Sequence, residues 1–147
     1  MDYLKNLNEK QREAAMHTEG PLLILAGAGS GKTSTMTRRI AYMIMEQGIS
    51  PYSILAVTFT NKAAREMKDR VETLVGTGMN MWILTFHSAC LRILRMNADR
   101  IGYTRDFTIY DPVDQKTVVK SLVKAEGVDD KIFTPNYVLG VISDAKE

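Results

Sequence analysis

With 147 residues, the chain has room for one domain of ordinary size and one hydrophobic core. Its 45% hydrophobic and 24% charged residues are typical of a globular protein and exclude a disordered or fibrous one. The formal net charge of +2 is too small to indicate a nucleic-acid partner by itself. The single cysteine, Cys90, excludes an internal disulfide and fits a reducing compartment, and we expect it to pack as a small apolar residue in a helix.

Nothing at the N-terminus predicts a targeting segment. An acid, Asp2, follows the first residue, and no apolar stretch comes after it, so a signal peptide is not expected. The longest apolar run, residues 21–26, is far shorter than the ~20 residues that a membrane-spanning helix needs. We therefore expect a cytoplasmic, monomeric protein with no membrane partner.

Short apolar runs that lead into helical patterns organise the first two thirds of the chain. The runs cover residues 22–26, 54–59 and 81–86. None alternates with polar residues, which is typical of strands buried on both faces of a parallel sheet. The helical patterns that follow them cover residues 31–46, Asn61–Val75 and 88–96. This alternation predicts βαβ units and an α/β fold, a doubly wound parallel sheet with flanking helices.

Apolar residues at spacings of three and four give each predicted helix one side that faces the core. These residues are Met36, Ile40, Met43 and Ile44 in the first helix, Ala64, Met67, Val71 and Leu74 in the second, and Cys90, Leu91 and Leu94 in the third. Asn61 is placed to cap the second helix.

The pattern changes after Gly102. Residues 107–110 are expected to form a short strand or an extended link. Asp111 at the cap, Pro112 at the first position and an acid in the first turn then predict a helix that ends at Gly127, with Val118, Val119, Leu122 and Val123 on its apolar face. A further helix is predicted after Thr134 and Pro135, running to about residue 142. We expect one unit over residues 1–107 and the beginning of a helical subdomain over residues 108–147.

A glycine-rich segment lies between the first apolar run and the first helix. It reads Ala26, Gly27, Ala28, Gly29, Ser30, Gly31, Lys32, Thr33. Small residues allow successive backbone N–H groups to surround phosphate oxygens, and the helix N-terminus adds a partial positive charge. Lys32 can then contact the β- and γ-phosphates of a nucleotide, and the Thr33 hydroxyl can bind Mg²⁺, which gives both residues catalytic roles. The alternative is a glycine-rich turn that binds no ligand.

Hydrolysis also needs a carboxylate for the metal and a group that orients water. The other two apolar runs end in Thr58-Phe59 and Thr85-Phe86, with no acid. Asp111 suits a helix cap, and Asp129 and Asp130 follow Gly127-Val128 rather than a strand. We expect the catalytic acids to lie outside these 147 residues, so that the chain binds nucleotide with little turnover.

Four segments resemble motifs of the PcrA/UvrD/Rep family of bacterial superfamily 1 DNA helicases, and its PcrA branch most. They are the Q motif (residues 7–14), the phosphate loop with its alanine start (26–33), motif Ia (58–67) and motif Ib (85–88). The resemblance covers essentially the whole chain and places it at the N-terminus of such a protein. It implies part of a RecA-like motor domain, incomplete here, and the beginning of an inserted helical subdomain.

The resemblance also implies how the nucleotide is recognised. The Gln11 carboxamide would bind adenine through one donor and one acceptor, which favours ATP over GTP; the alternative for Gln11 is an ordinary exposed helix residue. Relatives commonly carry, directly after the threonine, an arginine that stacks beneath adenine. Ser34 occupies that position and completes the nucleotide-binding set here, with Arg38 or Arg39 as candidates to replace the stacking.

Motifs Ia and Ib imply a track for single-stranded DNA. Phe59 would stack on a base, and Thr60 and Asn61 would bond phosphates. His87 and Ser88 would contact the DNA backbone. The alternatives are structural: Phe59 as a core residue, Asn61 as a helix cap, and His87 as a hydrogen-bonding residue within the fold.

The resemblance implies an ATP-dependent 3′-to-5′ DNA helicase that uses ATP and Mg²⁺, translocates on single-stranded DNA and unwinds duplex in repair or replication. Its expected partners are single-stranded DNA and 3′-tailed duplex. Two alternatives remain: a stand-alone ATP-binding regulatory module, and the front end of an AddA/RecB-type nuclease–helicase.

Overall fold

The computed structural model describes residues 2–78 and 80–146, and the chain divides into two compact units, Met1–Asn97 and Ala98–Glu147. Met1, Met79 and Glu147 lie outside the described residues, and the outer ends of the predicted ranges 1–107 and 108–147 fall on two of them. The predicted boundary after residue 107 concerns the family's domain arrangement and stays a prediction.

The first unit is α/β, as predicted, and strands and helices alternate in its second half. They are α1 (Glu9–Met16), α2 (Lys32–Met45), a 3-10 turn (Pro51–Ser53), β1 (Leu55–Thr58), α3 (Asn61–Val75), β2 (Trp82–Thr85) and α4 (Phe86–Asn97). The two strands pair in parallel, with Leu55 opposite Trp82 and Thr58 opposite Thr85. The helix α3 connects them, which is the βαβ unit that the sequence predicts.

The predicted strand at residues 22–26 is wrong. This segment has no regular secondary structure, and its leucines are exposed, Leu25 to 86%. Among the described residues, the strands β1 and β2 pair only with each other. A strand needs a hydrogen-bonding neighbour, and apolar composition alone does not provide one. The segment lies instead beside α1, where Leu22 and Leu23 line a shallow cavity with Ala14 and His17.

The core of the first unit lies between α2, α3 and the two strands. Its most buried side chains include Ile40 and Ile44 from α2, Val71 and Val75 from α3, and Ile83 from β2. The spacing of three and four therefore predicts most of the inward faces of α2 and α3, and Met43, Met67 and Leu74 pack against the same cluster. Met36 is the exception, because it is 38% exposed. Burial of these faces is the main stabilising term of the unit.

Two local predictions in the first unit are wrong. The N-cap of α3 is Thr60, whose hydroxyl accepts the Ala63 N–H, while Asn61 is the first helical residue. Thr60 and Asn61 are both able to cap, and the cap lies one residue earlier than the asparagine. On α4, Cys90 and Leu94 are exposed rather than packed, and Ala89 takes the buried position.

The second unit consists of a 3-10 turn (Ala98–Ile101) and two helices, α5 (Pro112–Ala125) and α6 (Pro135–Asp144), that pack against each other. Asp111 caps α5 as predicted, and Val119 and Val123 are buried while Val118 and Leu122 are exposed. Residues 107–110 have no strand structure, which favours the link. Within residues 2–78 and 80–146, every helix is too short or too polar to cross a membrane.

Truncation of Ile40 should destabilise the first unit. Ile40 is 2% exposed in the core, and an Ile→Ala change there costs about 2–5 kcal/mol through lost burial and a residual cavity. The single tryptophan, Trp82 on β2, reports unfolding of this unit in a urea titration followed by fluorescence. Met36→Ala on the same helix, at a 38% exposed position, is the matched control and should cost much less. Equal losses would show that α2 packs differently.

Candidate nucleotide site and strand-edge surface

The phosphate loop bends through two glycines in the left-handed region. Gly29 has φ 73° and Gly31 has φ 83°, a conformation that strains any residue with a side chain. Gly31 is also the N-cap of α2, and in this part of the described chain no side chain caps the helix. The backbone N–H groups at the start of α2 are therefore not satisfied by a capping side chain, which suits them to an anion.

Lys32 lies over the loop that precedes it. Its ammonium donates to the carbonyl oxygen of Ala26 at 3.0 Å and of Gly27 at 2.7 Å. The Ser30 hydroxyl donates to the same Gly27 oxygen at 2.6 Å and tightens the bend. The loop residues around Ala28 are exposed, as is Thr33, so solvent reaches this concave backbone from outside. A cation held over exposed loop backbone fits the binding of a phosphate group.

Gln11 joins the N-terminal helix to the loop. Its side-chain oxygen accepts the Asn8 N–H at 3.0 Å, and the Asn8 side chain accepts the Gln11 N–H, which completes a capping box for α1. Its amide nitrogen donates to the Ser30 carbonyl oxygen at 2.9 Å. Gln11 is therefore more than an ordinary exposed helix residue, because its side chain reaches the phosphate loop.

The two arginines considered for stacking beneath adenine are occupied elsewhere. Arg38 donates to the Tyr3 carbonyl oxygen at 2.8 Å, and Arg39 donates to the Ala14 carbonyl oxygen at 2.6 Å. These bonds hold both guanidinium groups on the N-terminal segment and fasten α1 to α2. Ser34 contributes its carbonyl oxygen to the Thr37 hydroxyl. No sequence pattern signals this arrangement, because the acceptors are backbone atoms.

A second group of candidates meets at the carboxyl edge of the sheet. Because Thr58 lies opposite Thr85, the residues that follow the two strands start from the same edge. Phe59 is 98% exposed and Phe86 is 61% exposed, so neither ring fills the core. The core alternative for Phe59 is thereby excluded. Thr60 uses its hydroxyl as the helix cap described above, and Asn61 is exposed beside it.

The motif Ib residues lie on the neighbouring strand end. His87 is exposed in the first turn of α4. Thr85 donates its hydroxyl to the Ser88 hydroxyl at 2.8 Å, and the Thr85 oxygen accepts the Ser88 N–H. This pair closes the turn from β2 into α4.

An open groove of about 480 Å³ lies between α3 and β2 and is lined by residues of motifs Ia and Ib. Asn61 and Ser88 line it, together with Arg65 and Lys68 from the next turns of α3. These two cations were not predicted from the sequence, although their spacing from Asn61, four and seven residues, is that of one helix face. Asp69 and Glu72 also line the groove, and Lys68 lies 3.9 Å from Glu72. Among the described residues, Arg65 is therefore the groove cation that forms no ion pair.

The family model of the UvrD/REP helicase N-terminal domain matches residues 7–147. The chain belongs to this family. It is 59% identical over 144 residues to the ATP-dependent DNA helicase PcrA of Staphylococcus epidermidis, in an alignment that covers 97% of the chain and 20% of that relative. It is 58% identical over 144 residues to the ATP-dependent DNA helicase PcrA of Staphylococcus aureus, with the same coverage. The chain therefore spans about a fifth of the length of the curated relatives it matches.

Truncation of Phe59 should leave the fold of this UvrD/REP family chain intact. Because the ring is almost fully exposed, Phe59→Ala should change the free energy of unfolding by no more than about 0.5 kcal/mol. Ile83→Ala, at a buried position on β2, should cost about 2–5 kcal/mol in the same urea titration. If Phe59→Ala lowered the free energy of unfolding as much as Ile83→Ala does, the Phe59 ring would have to pack against the protein.

Proposed function

We propose that this chain is the ATP-binding portion of an ATP-dependent DNA helicase that translocates 3′ to 5′ on single-stranded DNA. The observation that carries the proposal is the Lys32 ammonium, held over the backbone of a loop whose glycines open directly into α2. Membership of the UvrD/REP helicase family supports the same reaction class. Unwinding of duplex in DNA repair or replication is the biological role that we infer.

The loop would bind the triphosphate through three contributions. Backbone N–H groups at the uncapped start of α2 would donate to phosphate oxygens, and Lys32 would exchange its two carbonyl partners for phosphate oxygens. The Thr33 hydroxyl would supply one oxygen ligand to Mg²⁺, which neutralises phosphate charge when it is bound. The remaining loop residues, from Ala26 to Gly31, shape the backbone, and Gln11 would recognise adenine.

Hydrolysis would need groups that the two strand ends do not carry. The strands end in Thr58 and Thr85, followed by Phe59 and Phe86, where a motor of this kind requires a carboxylate. We therefore assign nucleotide binding, rather than turnover, to these 147 residues. In the proposed helicase, this chain forms part of a RecA-like domain over residues 1–107 and begins a helical subdomain over residues 108–147.

The strand edge would hold single-stranded DNA, whether free or as the 3′ tail of a duplex. Phe59 can stack on a base of any type, and Asn61 with Arg65 can bond the phosphates beside it. His87 and Ser88 start from the neighbouring strand end and extend the same track. Thr60 keeps its hydroxyl for the helix cap, so its contribution to DNA would come through the backbone. Nucleotide-driven closure would move DNA along this track.

Lys32→Ala should remove most of the affinity for ATP. A charge-assisted hydrogen bond contributes about 1.5–3 kcal/mol, which corresponds to a roughly tenfold to hundredfold increase in the dissociation constant. Isothermal titration calorimetry of the 147-residue chain with ATP and Mg²⁺ measures it. Lys120→Ala removes the same charge from α5 in the second unit and is the matched control. Equal ATP affinities in the wild type and Lys32→Ala would remove the assignment of this loop.

Phe59→Ala should weaken binding of single-stranded DNA by about 1–3 kcal/mol, regardless of base sequence, because one stacking platform is lost. Fluorescence anisotropy with labelled oligonucleotides of several sequences measures this loss. The control is Tyr52→Ala, which removes a 77% exposed aromatic ring at the amino end of β1. If both variants bind DNA like the wild type, or if both lose affinity equally, the edge at Phe59 is not the stacking site.

A further inference from the structure

The Gln11 carboxamide has enough hydrogen-bonding groups to contact the phosphate loop and an adenine base at the same time. A primary amide offers two N–H donors and two acceptor lone pairs. In the described structure, one lone pair accepts the Asn8 N–H and one N–H reaches Ser30, 19 residues away in sequence. One donor and one acceptor are left over. That pair is what the N7 and N6 atoms of an adenine base require.

Gln11 on α1 and Gly31 in the loop lie close together. Gly31 has φ 83°, a backbone conformation that favours glycine. A Cβ atom built there would lie 2.9 Å from the Gln11 amide nitrogen, so a side chain at this position would displace the Gln11 amide. The bond from Arg39 to the Ala14 carbonyl oxygen holds α1 against α2, the helix that the loop opens. The Gln11 amide therefore extends from a helix that is held in place against α2.

We propose that Gln11 is a positioning residue for the phosphate loop as well as the adenine contact. By holding the Ser30 carbonyl, it keeps residues 27–31 in the bend that receives phosphate, and the same amide links the base to the triphosphate. This inference rests on the proposed function and deepens it. It assigns Gln11 an effect on phosphate groups that carry no base at all.

Inorganic tripolyphosphate, which has no adenine, separates the two tasks. Gln11→Met keeps the side-chain length but removes both the donor and the acceptor. We expect it to weaken tripolyphosphate binding to the 147-residue chain about two- to tenfold, the size of one lost hydrogen bond, and to weaken ATP binding further. Calorimetry with Mg²⁺ measures both ligands.

A second readout needs no ligand. Amide hydrogen exchange in residues 27–31 should become faster in Gln11→Met, because the loop loses its tie to α1. Gln11→Glu provides an independent variant, since its carboxylate still accepts the Asn8 N–H but cannot donate to Ser30. It should accelerate exchange in the same residues while α1 keeps its cap.

Two control variants isolate the contact. Asn8→Ala removes the other half of the capping box and leaves the bond from Gln11 to Ser30 in place, so it should lower thermal stability without a matching loss of tripolyphosphate affinity. Gln115→Met removes a comparable amide donor, which bonds the Tyr110 carbonyl oxygen in the second unit, and should leave the loop unchanged.

The inference and the proposed function fail in different ways. If Gln11→Met weakens ATP but binds tripolyphosphate like the wild type, with unchanged exchange in residues 27–31, Gln11 only recognises the base and the inference is wrong. The inference is also wrong if Asn8→Ala produces equal losses, or if the wild type binds ATP but no tripolyphosphate. If the wild type binds neither ligand, or binds both independently of Lys32, the proposed function is wrong, and so is the inference that rests on it.

Discussion

Parallel pairing of β1 and β2 is the constraint on which the strand-edge surface depends. Parallel strands bring their carboxyl ends to one edge, and the register of Thr58 opposite Thr85 sets how closely the following residues meet. A slip of one residue would turn every side chain of one strand to the opposite face. Ile83 would then leave the core, so burial of that side chain fixes the register, and through it the positions of Phe59 and His87.

The phosphate loop obeys a different constraint, because its shape comes from backbone conformation rather than from burial. Its two left-handed glycines give the bend, and Lys32 and Ser30 hold it through bonds to carbonyl oxygens. Those carbonyls are neutral acceptors. A phosphate oxygen carries charge and forms a stronger bond with an ammonium, so the exchange of partners that we propose for nucleotide binding would be favourable. The loop is therefore held in a bent form by contacts that a ligand can replace.

Local spacing along the chain was enough to predict part of the structure. The faces of α2 and α3, the cap of α5 at Asp111 and the start of α2 at the loop all follow from it. Prediction failed where residues distant in the sequence determine the local structure. Residues 22–26 have the composition of a strand, but pairing requires a neighbouring strand that composition does not encode. In the candidate site, the loop and Phe59 could be found from the sequence because they belong to motifs. Their roles in binding stay predictions. The groove cations Arg65 and Lys68 were missed because only the folded α3 shows which of its faces meets β2.

The two capping boxes formed by the described residues, at α1 and α5, bear on why glutamine stands at position 11. A capping box needs only an acceptor three residues after the cap, and α5 uses a carboxylate there, Asp114, which accepts the Asp111 N–H. A carboxylate on α1 would serve the Asn8 N–H equally well, and its charge would favour a helix N-terminus. It could not donate to Ser30. The cap alone therefore does not account for glutamine on α1. The bond to the phosphate loop does, as would the proposed adenine contact, because each needs an N–H on the same side chain.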